Sequence, residues 1–539
     1  MSAADMSQIG KPPCEEGVIL GGAQALPCSA PSRHWTLVAA ILGSSLAFID
    51  GTVVNVALPA IQRELGASTS DAQWVMESYA LFLASLLLVG GTLGDRFGRK
   101  RIFMLGAGLF MLASIGCSLS SGVLQLIAAR AFQGIGAALL VPGSLALISA
   151  TFPQSERGAA IGTWSAFSGI TAAIGPVIGG FLVEHYSWTW AFLINAPVGV
   201  VLLAICAAKV PESKGRMEGP VDVLGASLVT IGLAGLVFAF IEAPARGWTA
   251  APIWLAAVIG ILALLLFVRV EAHAASPMLP LALFRERNFA GANLLTLLLY
   301  AALGGSLFFL PLNLIQVQGY GATAAGAALL PFIAIMFLLS RWTGSLVDRF
   351  GSRLPLVIGP TIAAAGFAMF ALPATESSYW TAFFPAICIL GLGMSVTVAP
   401  LTTTVMNLAG RDLAGTASGI NNAVSRAAAL LAIALFGFVL TLVFNIVLDS
   451  ELRSLRAPTG LVAAVVGQRQ KLAGIVMPAG YPDATLAALK HAVNLSFLSG
   501  FRCVMLVSAA LALLSAASAW IFIEGRQAAH GVPVSGRNG

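Results

Sequence analysis

Two full charges stand inside long apolar stretches of this 539-residue sequence. Asp50 lies in the apolar run 35–59, about nine residues from its far end. On a helix that rises 1.5 Å per residue, this is roughly 14 Å deep. Arg130 lies about seven residues into the run 123–149, at similar depth. Ionisable groups in such places are expensive and are functional candidates by default. A carboxyl group in a low-dielectric cavity favours its neutral form, so Asp50 can take up and release a proton near neutral pH. It could equally meet a cationic solute, or serve as a structural hydrogen-bonding group. Guanidinium does not give up its proton, so Arg130 is a fixed charge that tunes a nearby carboxylate until movement parts them. Glu77, near one end of the second apolar run, is a candidate partner for it or a solvated cap. Arg426 is a further buried-charge candidate, with Asn422 four residues earlier on the same helix face. Asn55, Gln133 and Asn422 are the candidate polar residues of a cavity.

Other chemistries lack their residues. Six cysteines are scattered, several inside apolar runs, with neither metal-ligand spacing nor a disulfide framework. His34, His185, His273, His491 and His530 are dispersed. A Gly-Lys-Ser/Thr phosphate loop is missing, which argues against direct ATP drive. No catalytic residue and no metal ligand set is expected, and enzyme chemistry has little support.

The elements that must position these charges are membrane spans. Hydrophobic residues make up 58% of the chain and charged ones 10%, against about 25% charged in soluble domains. Apolar runs of about 20 residues match a hydrocarbon core of about 30 Å. Fourteen are expected, near 35–59, 72–93, 102–121, 123–149, 158–183, 190–208, 221–242, 252–271, 289–313, 323–345, 355–373, 380–405, 413–447 and 497–523. Only helices cross in such numbers while satisfying their own backbone groups. The chain therefore reads as an all-α polytopic membrane protein.

An even count puts both ends on one side, and basic residues choose it. Seventeen Lys and Arg, among them Arg96, Arg99, Lys100, Arg101, Arg349 and Arg353, fall in the segments and tails of one side. Arg63 and Arg246 fall in the short loops of the other. The rich side is expected to be cytoplasmic. Residues 1–34 and 524–539 read as cytoplasmic tails. The first span then acts as an uncleaved insertion signal. Segment 449–496 reads as an outside loop with surface-lying helical pieces, including an amphipathic stretch from Ala484 to Leu495, or alternatively as a re-entrant element.

A repeat runs through this plan. GTLGDRFGRKR begins at Gly91 and GSLVDRFGSR at Gly344, each closing an even-numbered helix on the cytoplasmic side. Two parallel six-helix halves, 35–208 and 289–523, follow, with two extra helices and linkers in 209–288. In the first copy Gly91, Asp95, Arg96, Gly98 and Arg99 form a hinge. Glycine permits the tight turn, and Asp95 can interact with the positive N-terminus of a neighbouring helix. Asp348 and Arg349 hold the equivalent places. The motif reads as a conformational latch or as purely topogenic charge facing anionic lipid. Gly175, Pro176 and Gly179 in the fifth span suit either a gate or close helix packing.

From Trp35 to about Ile523 the chain resembles the major facilitator superfamily, in particular its fourteen-helix drug:proton antiporter family. The Gly91–Arg101 string matches the signature between helices two and three, and Arg130-Ala-Phe-Gln133-Gly134-Ile-Gly136 matches that of the fourth helix. Gly169 through Gly175-Pro176 and Gly179-Gly180 resembles the fifth-helix signature usual in exporters. Asp50-Gly-Thr52-Val-Val-Asn55-Val-Ala-Leu-Pro59 and Trp188-Thr-Trp190-Ala-Phe192-Leu-Ile-Asn195-Ala-Pro197 resemble the first-helix and sixth-helix patterns of the fourteen-helix group. Thr189 stands where related patterns often carry Arg, and Ala427, Ala428 and Ala429 follow Arg426 where glycines are common.

The resemblance implies two six-helix bundles plus two additional central helices in a bacterial inner membrane. It implies no cofactor, with a proton gradient as energy source, and a role for Arg130 in proton coupling. It implies export of lipophilic drugs or related small organic compounds by alternating access. Expected partners are a small organic substrate, protons and membrane lipid, and no nucleic acid; an outer-membrane efflux partner is left unspecified. A carrier of one specific metabolite, or a non-transporting membrane sensor, are the alternatives.

Overall fold

A computed structural model describes residues 30–214, 221–274, 277–344, 346–375, 377–408, 410–455, 458–478 and 480–524. The expected tails, apart from 30–34 and Glu524, lie outside the described residues. Apolar runs become helices because a chain in lipid must bond its backbone internally. The helices are α1 Ala30–Leu65, α2 Thr69–Phe97, α3 Arg99–Ser118, α4 Val123–Thr151 and α5 Gln154–His185. They continue with α6 Trp190–Lys209, α7 Val223–Arg246 and α8 Ala251–His273. α9 is Arg287–Leu312, extended by a π turn over Asn313–Val317; α10 is Ala322–Ala327 and Leu330–Gly344; α11 is Arg353–Met369. α12 is Phe384–Leu408, entered through a π turn at Tyr379–Phe383. α13 is Gly410–Leu455 and α14 Asp483–Phe522. Each of the fourteen expected spans falls on one of these helices.

α1–α6 form one bundle and α9–α14 the other. The α7–α8 hairpin flanks them, with α7 packed on both α2 and α13. Glycines let the hairpin's own helices approach: a Cβ at Gly235 would meet the Ala256 carbonyl oxygen at 2.5 Å, and one at Gly260 the Gly232 oxygen at 2.9 Å. Close backbone approach is how helices gain packing where lipid supplies no hydrophobic drive. α8 turns Leu255, Ile259, Leu262, Leu265 and Leu266 outward, the surface of a lipid-facing helix.

The main differences from expectation lie beyond α12. α13 runs 46 residues and α14 40, about twice what the hydrocarbon core needs. α14 begins at Asp483 rather than near 497. The stretch Ala484–Leu495 is therefore its first turns, with Leu489, Ala492 and Val493 buried, and not a separate surface-lying helix. Between the two, a short helix Thr459–Val466 buries Leu461 and Val465.

At the end opposite Asp95, the bundles are joined. A Cβ at Gly180 of α5 would meet the Ala322 carbonyl oxygen at 2.4 Å, and one at Gly326 of α10 would meet the Pro176 oxygen at 2.1 Å. Glu184 accepts from the Thr323 hydroxyl at 2.6 Å and its amide at 3.1 Å. Gln316 Nε2 donates to Gln62 Oε1 at 3.0 Å, and Gln73 Nε2 to the Ile433 oxygen at 3.0 Å.

Candidate functional site: a buried ion pair in the first bundle

Asp50 and Arg130, 80 residues apart, meet inside the first bundle. Arg130 Nη1 donates to Asp50 Oδ2 at 2.5 Å, and both side chains are fully buried. One turn along α4, Gln133 takes a second bond from Arg130 Nη1 at 2.7 Å and gives its own Nε2 to Asp50 Oδ1 at 2.7 Å. Asn195, at the break within α6, donates to the same Oδ1 at 3.2 Å and to Ser114 of α3 at 2.9 Å. Arg130 Nε reaches the Val75 oxygen of α2 at 3.0 Å. Five helices thus converge on one carboxylate and one guanidinium. Removing two charges from water costs several kcal/mol per ion, which the pair recovers only through added hydrogen bonds such as these.

The bonding is complete on the acid and incomplete on the base. Asp50 accepts three donors. Arg130 Nη2 has no hydrogen-bond partner and lies with its guanidinium 4.3 Å above the Tyr79 ring. The Tyr79 hydroxyl is likewise buried without a partner. Tyr79 is also within electrostatic reach of Arg426 on α13, in the other bundle. Arg426 Nε donates to Asn422 Oδ1 on its own helix at 3.1 Å.

Glu77, the sequence candidate for Arg130's partner, is not bonded to it. It is fully buried with neither oxygen hydrogen-bonded. It lies one turn beyond Gln73, whose side chain reaches α13, and so shares the α2 face that looks across to the second bundle. Gln133, expected at a cavity wall, is sealed within the network. Asn55 bonds back to Gly51 at 3.3 Å and leaves its Oδ1 unpartnered. Asn195, Ser114 and Tyr79 were not singled out. Asn195 had a visible signal, because it sits in the Trp188–Pro197 string; Ser114 and Tyr79 had none.

The motif residues are also placed. Gly175 and Gly179 allow α5 onto α1: a Cβ would come within 2.2 Å of Thr52 Oγ1 and 2.7 Å of Val53 Cγ1, respectively. Among the described residues Asp95 Oδ1 pairs with Arg99 Nε at 2.7 Å, four residues on. The N-terminus of α3 is held by Glu212, unremarked in the sequence. Its oxygens accept the Lys100 amide at 3.0 Å and the Arg101 amide at 3.2 Å. Gly98, at φ +113°, faces that carboxylate, leaving no room for a Cβ. Gly91 lies beside Pro142, at 3.8 Å for a built Cβ. In the second copy Arg349 is exposed, and the side chain of Asp348 lies outside the described residues.

Two bundles of spanning helices, flanked by a hairpin and holding a sealed charge pair, define a multi-pass membrane protein of the transporter class. The family model for the Major Facilitator Superfamily matches residues 40–433, and the chain belongs to that superfamily. It is therefore a transporter and not an enzyme. It is 33% identical over 502 residues to the multidrug resistance protein Stp of Mycobacterium tuberculosis, covering 90% of this chain and 91% of that protein. The tetracenomycin C resistance and export protein of Streptomyces glaucescens is also 33% identical, over 90% and 91% of the two chains. So is the puromycin resistance protein of Streptomyces alboniger, over 92% of each. Among solved structures, a bacterial homolog of the human lysosomal transporter Spinster, inward-facing and unoccupied, matches with TM-score 0.63 and 18% identity. That match covers 91% of this chain and 98% of the other, and it establishes the fold alone.

Proposed function

We propose that this chain is a proton-coupled exporter of lipophilic drugs or related small organic compounds. In this reading it sits in the bacterial inner membrane with both termini cytoplasmic. The observation that carries the coupling is the sealed Asp50–Arg130 pair. Arg130 keeps its counter-charge only while Asp50 accepts on both oxygens. A proton delivered to Asp50 removes Arg130's counter-charge and one acceptor site, so the guanidinium must find another arrangement. Tyr79 and Arg426 lie on the path toward the other bundle, and Glu77 supplies a second carboxyl group on that face. Asn55 and Asn422 are the polar side chains left to meet a solute.

Segments 35–208 and 289–523 rock against each other, with 209–288 supplying the added helices. Gly175, Pro176 and Gly179 set how closely α5 approaches, and the loops at Gly91–Arg99 and Asp348–Arg349 act as latches. Protons entering from outside then drive solute outward. The resistance and export names of the three relatives support this cargo class and direction, and the bias of basic residues supports the orientation.

The test is a panel of drugs and metabolites with purified protein in liposomes under an imposed pH gradient. Gradient-driven movement of lipophilic compounds, lost in Asp50→Asn, is the expected result. Transport that ignores the gradient, or a folded protein that moves nothing on the panel, would remove the reading.

A further inference from the structure

A second set of carboxyl groups meets far from Asp50, at the end of the α7–α8 hairpin nearer Asp95. Asp222 precedes α7 and caps it, its Oδ1 accepting the Gly225 amide at 2.8 Å. Glu271, 3% exposed in the last turn of α8, accepts the Leu279 amide on Oε2 at 2.9 Å. The other two oxygens, Asp222 Oδ2 and Glu271 Oε1, are buried without a hydrogen-bond donor. Both point to one spot. A Cβ built on Gly225 would lie 2.3 Å from the first and 2.8 Å from the second, so only glycine at 225 lets them meet. Among the described residues the charged group facing Glu271 across the hairpin is Asp222, and the linker offers backbone amides of Met278 and Leu279. On α8 itself, His273 is exposed and bonded to its own helix at the Arg269 oxygen.

Two ionised carboxylates cannot share such a place without a cation, and one proton between them resolves the conflict. We propose that Asp222 and Glu271 bind a single proton, forming a carboxyl–carboxylate hydrogen bond. One proton is taken up, and the pair carries one negative charge instead of two. The bond ties the start of α7 to the end of α8 and, through Leu279, to the linker entering α9. Because α7 packs on α2 and α13 together, this proton stiffens a joint touching both bundles. The inference does not rest on the exporter reading, and its test involves neither transport nor Asp50.

The full-length protein in detergent is examined by infrared absorption and thermal unfolding across pH. Glu271→Gln places an amide N–H where the shared proton sits, and Asp222→Asn does the same while keeping the cap. The wild type should show a protonated-carboxyl band at neutral pH that vanishes on alkalinisation and is missing from both variants. Its unfolding midpoint should fall as pH rises through that change, because the folded state then releases a proton that the unfolded chain has already lost. The variants should lose this pH dependence. Identical spectra and pH profiles in wild type and Glu271→Gln would overturn the proposal. A midpoint raised by sodium or potassium at constant pH, and unresponsive in Glu271→Gln, would assign the pair to a metal cation instead. Should Glu271→Gln fail to fold, Asp222→Asn carries the same measurements.

Discussion

The two bundles bury polar groups of different kinds. In the first, five helices are tied through a charge pair, Asp50–Arg130, completed by Gln133 and Asn195. In the second, α9 is tied to α13 and α14 through neutral groups. Asn421 of α13 donates to Asn293 Oδ1 at 3.2 Å and to Thr296 Oγ1 at 2.7 Å on α9. Ser306 of α9 donates to Ser508 of α14 at 2.8 Å. Amides and hydroxyls stay satisfied whatever the proton gradient does, whereas a carboxylate–guanidinium pair is undone by one proton. The two halves of a duplicated architecture thus tie their helices differently, one through a charge pair and the other through amides and hydroxyls. The magnitudes agree, since interhelical hydrogen bonds in membranes average about 0.6 kcal/mol, while stripping one partner from a buried ion pair costs about 3–5 kcal/mol.

The largest expected effects come from breaking that asymmetry directly. Asp50→Ala or Arg130→Ala should destabilise the protein by about 3–5 kcal/mol and abolish gradient-driven transport in liposomes. Asn421→Ala should cost about 0.6 kcal/mol and leave coupling intact. Equal losses in thermal unfolding and transport from the two bundles would break the comparison.

Next come the glycines at which the bundles touch. Gly180→Val and Gly326→Val place side chains against opposing carbonyls, and overpacking costs about 1–3 kcal/mol. Cysteines placed at 184 and 323 should cross-link less in either variant. Cross-linking unchanged by both would detach this contact from the closed end.

A smaller effect separates the two loop copies. Glu212→Ala removes the cap on α3 and should cost about 1 kcal/mol, with slowed transport. In the second copy Ser352 makes no side-chain capping bond to α11, so Ser352→Ala should be silent in the same assays.

The smallest effect is at exposed Glu184, just past the end expected for the fifth span. The Thr323 hydroxyl and amide hold its carboxyl below the usual carboxylate range. A lowered folded value means that the stabilising contact is fully present above the ordinary range and is lost as pH falls through the folded value. The 184–323 end should loosen on acidification, seen as faster labelling of a cysteine at 322, and Glu184→Gln should remove the pH dependence.

Reading the spans needed no tertiary information. Fourteen apolar runs became helices because bilayer thickness and backbone bonding act on each segment alone. Asp50 and Arg130 were legible as candidates for the same reason: a charge in an apolar run is conspicuous wherever it points. Their partners were not. Glu77 looked like Arg130's companion by position, yet it bonds nothing and shares the α2 face from which Gln73 reaches α13. Glu212 looked like linker, because capping the α3 terminus depends on where the chain after α6 returns. Ala484–Leu495 looked surface-lying because its mixed pattern fits water and lipid equally; burial of Leu489 and Val493 comes from neighbours distant in sequence.

By itself, then, the order of residues determined the number of crossings, the even count, the duplicated loops and which charges were unusual. Each is a property of a local segment measured against a bilayer. Folding in three dimensions decided that Asp50 pairs with Arg130, that Gln133 and Asn195 complete the pair, and that Gly225 lets Asp222 meet Glu271. Those outcomes depend on how helices rotate and approach one another, and a single side chain's width at a crossing settles them.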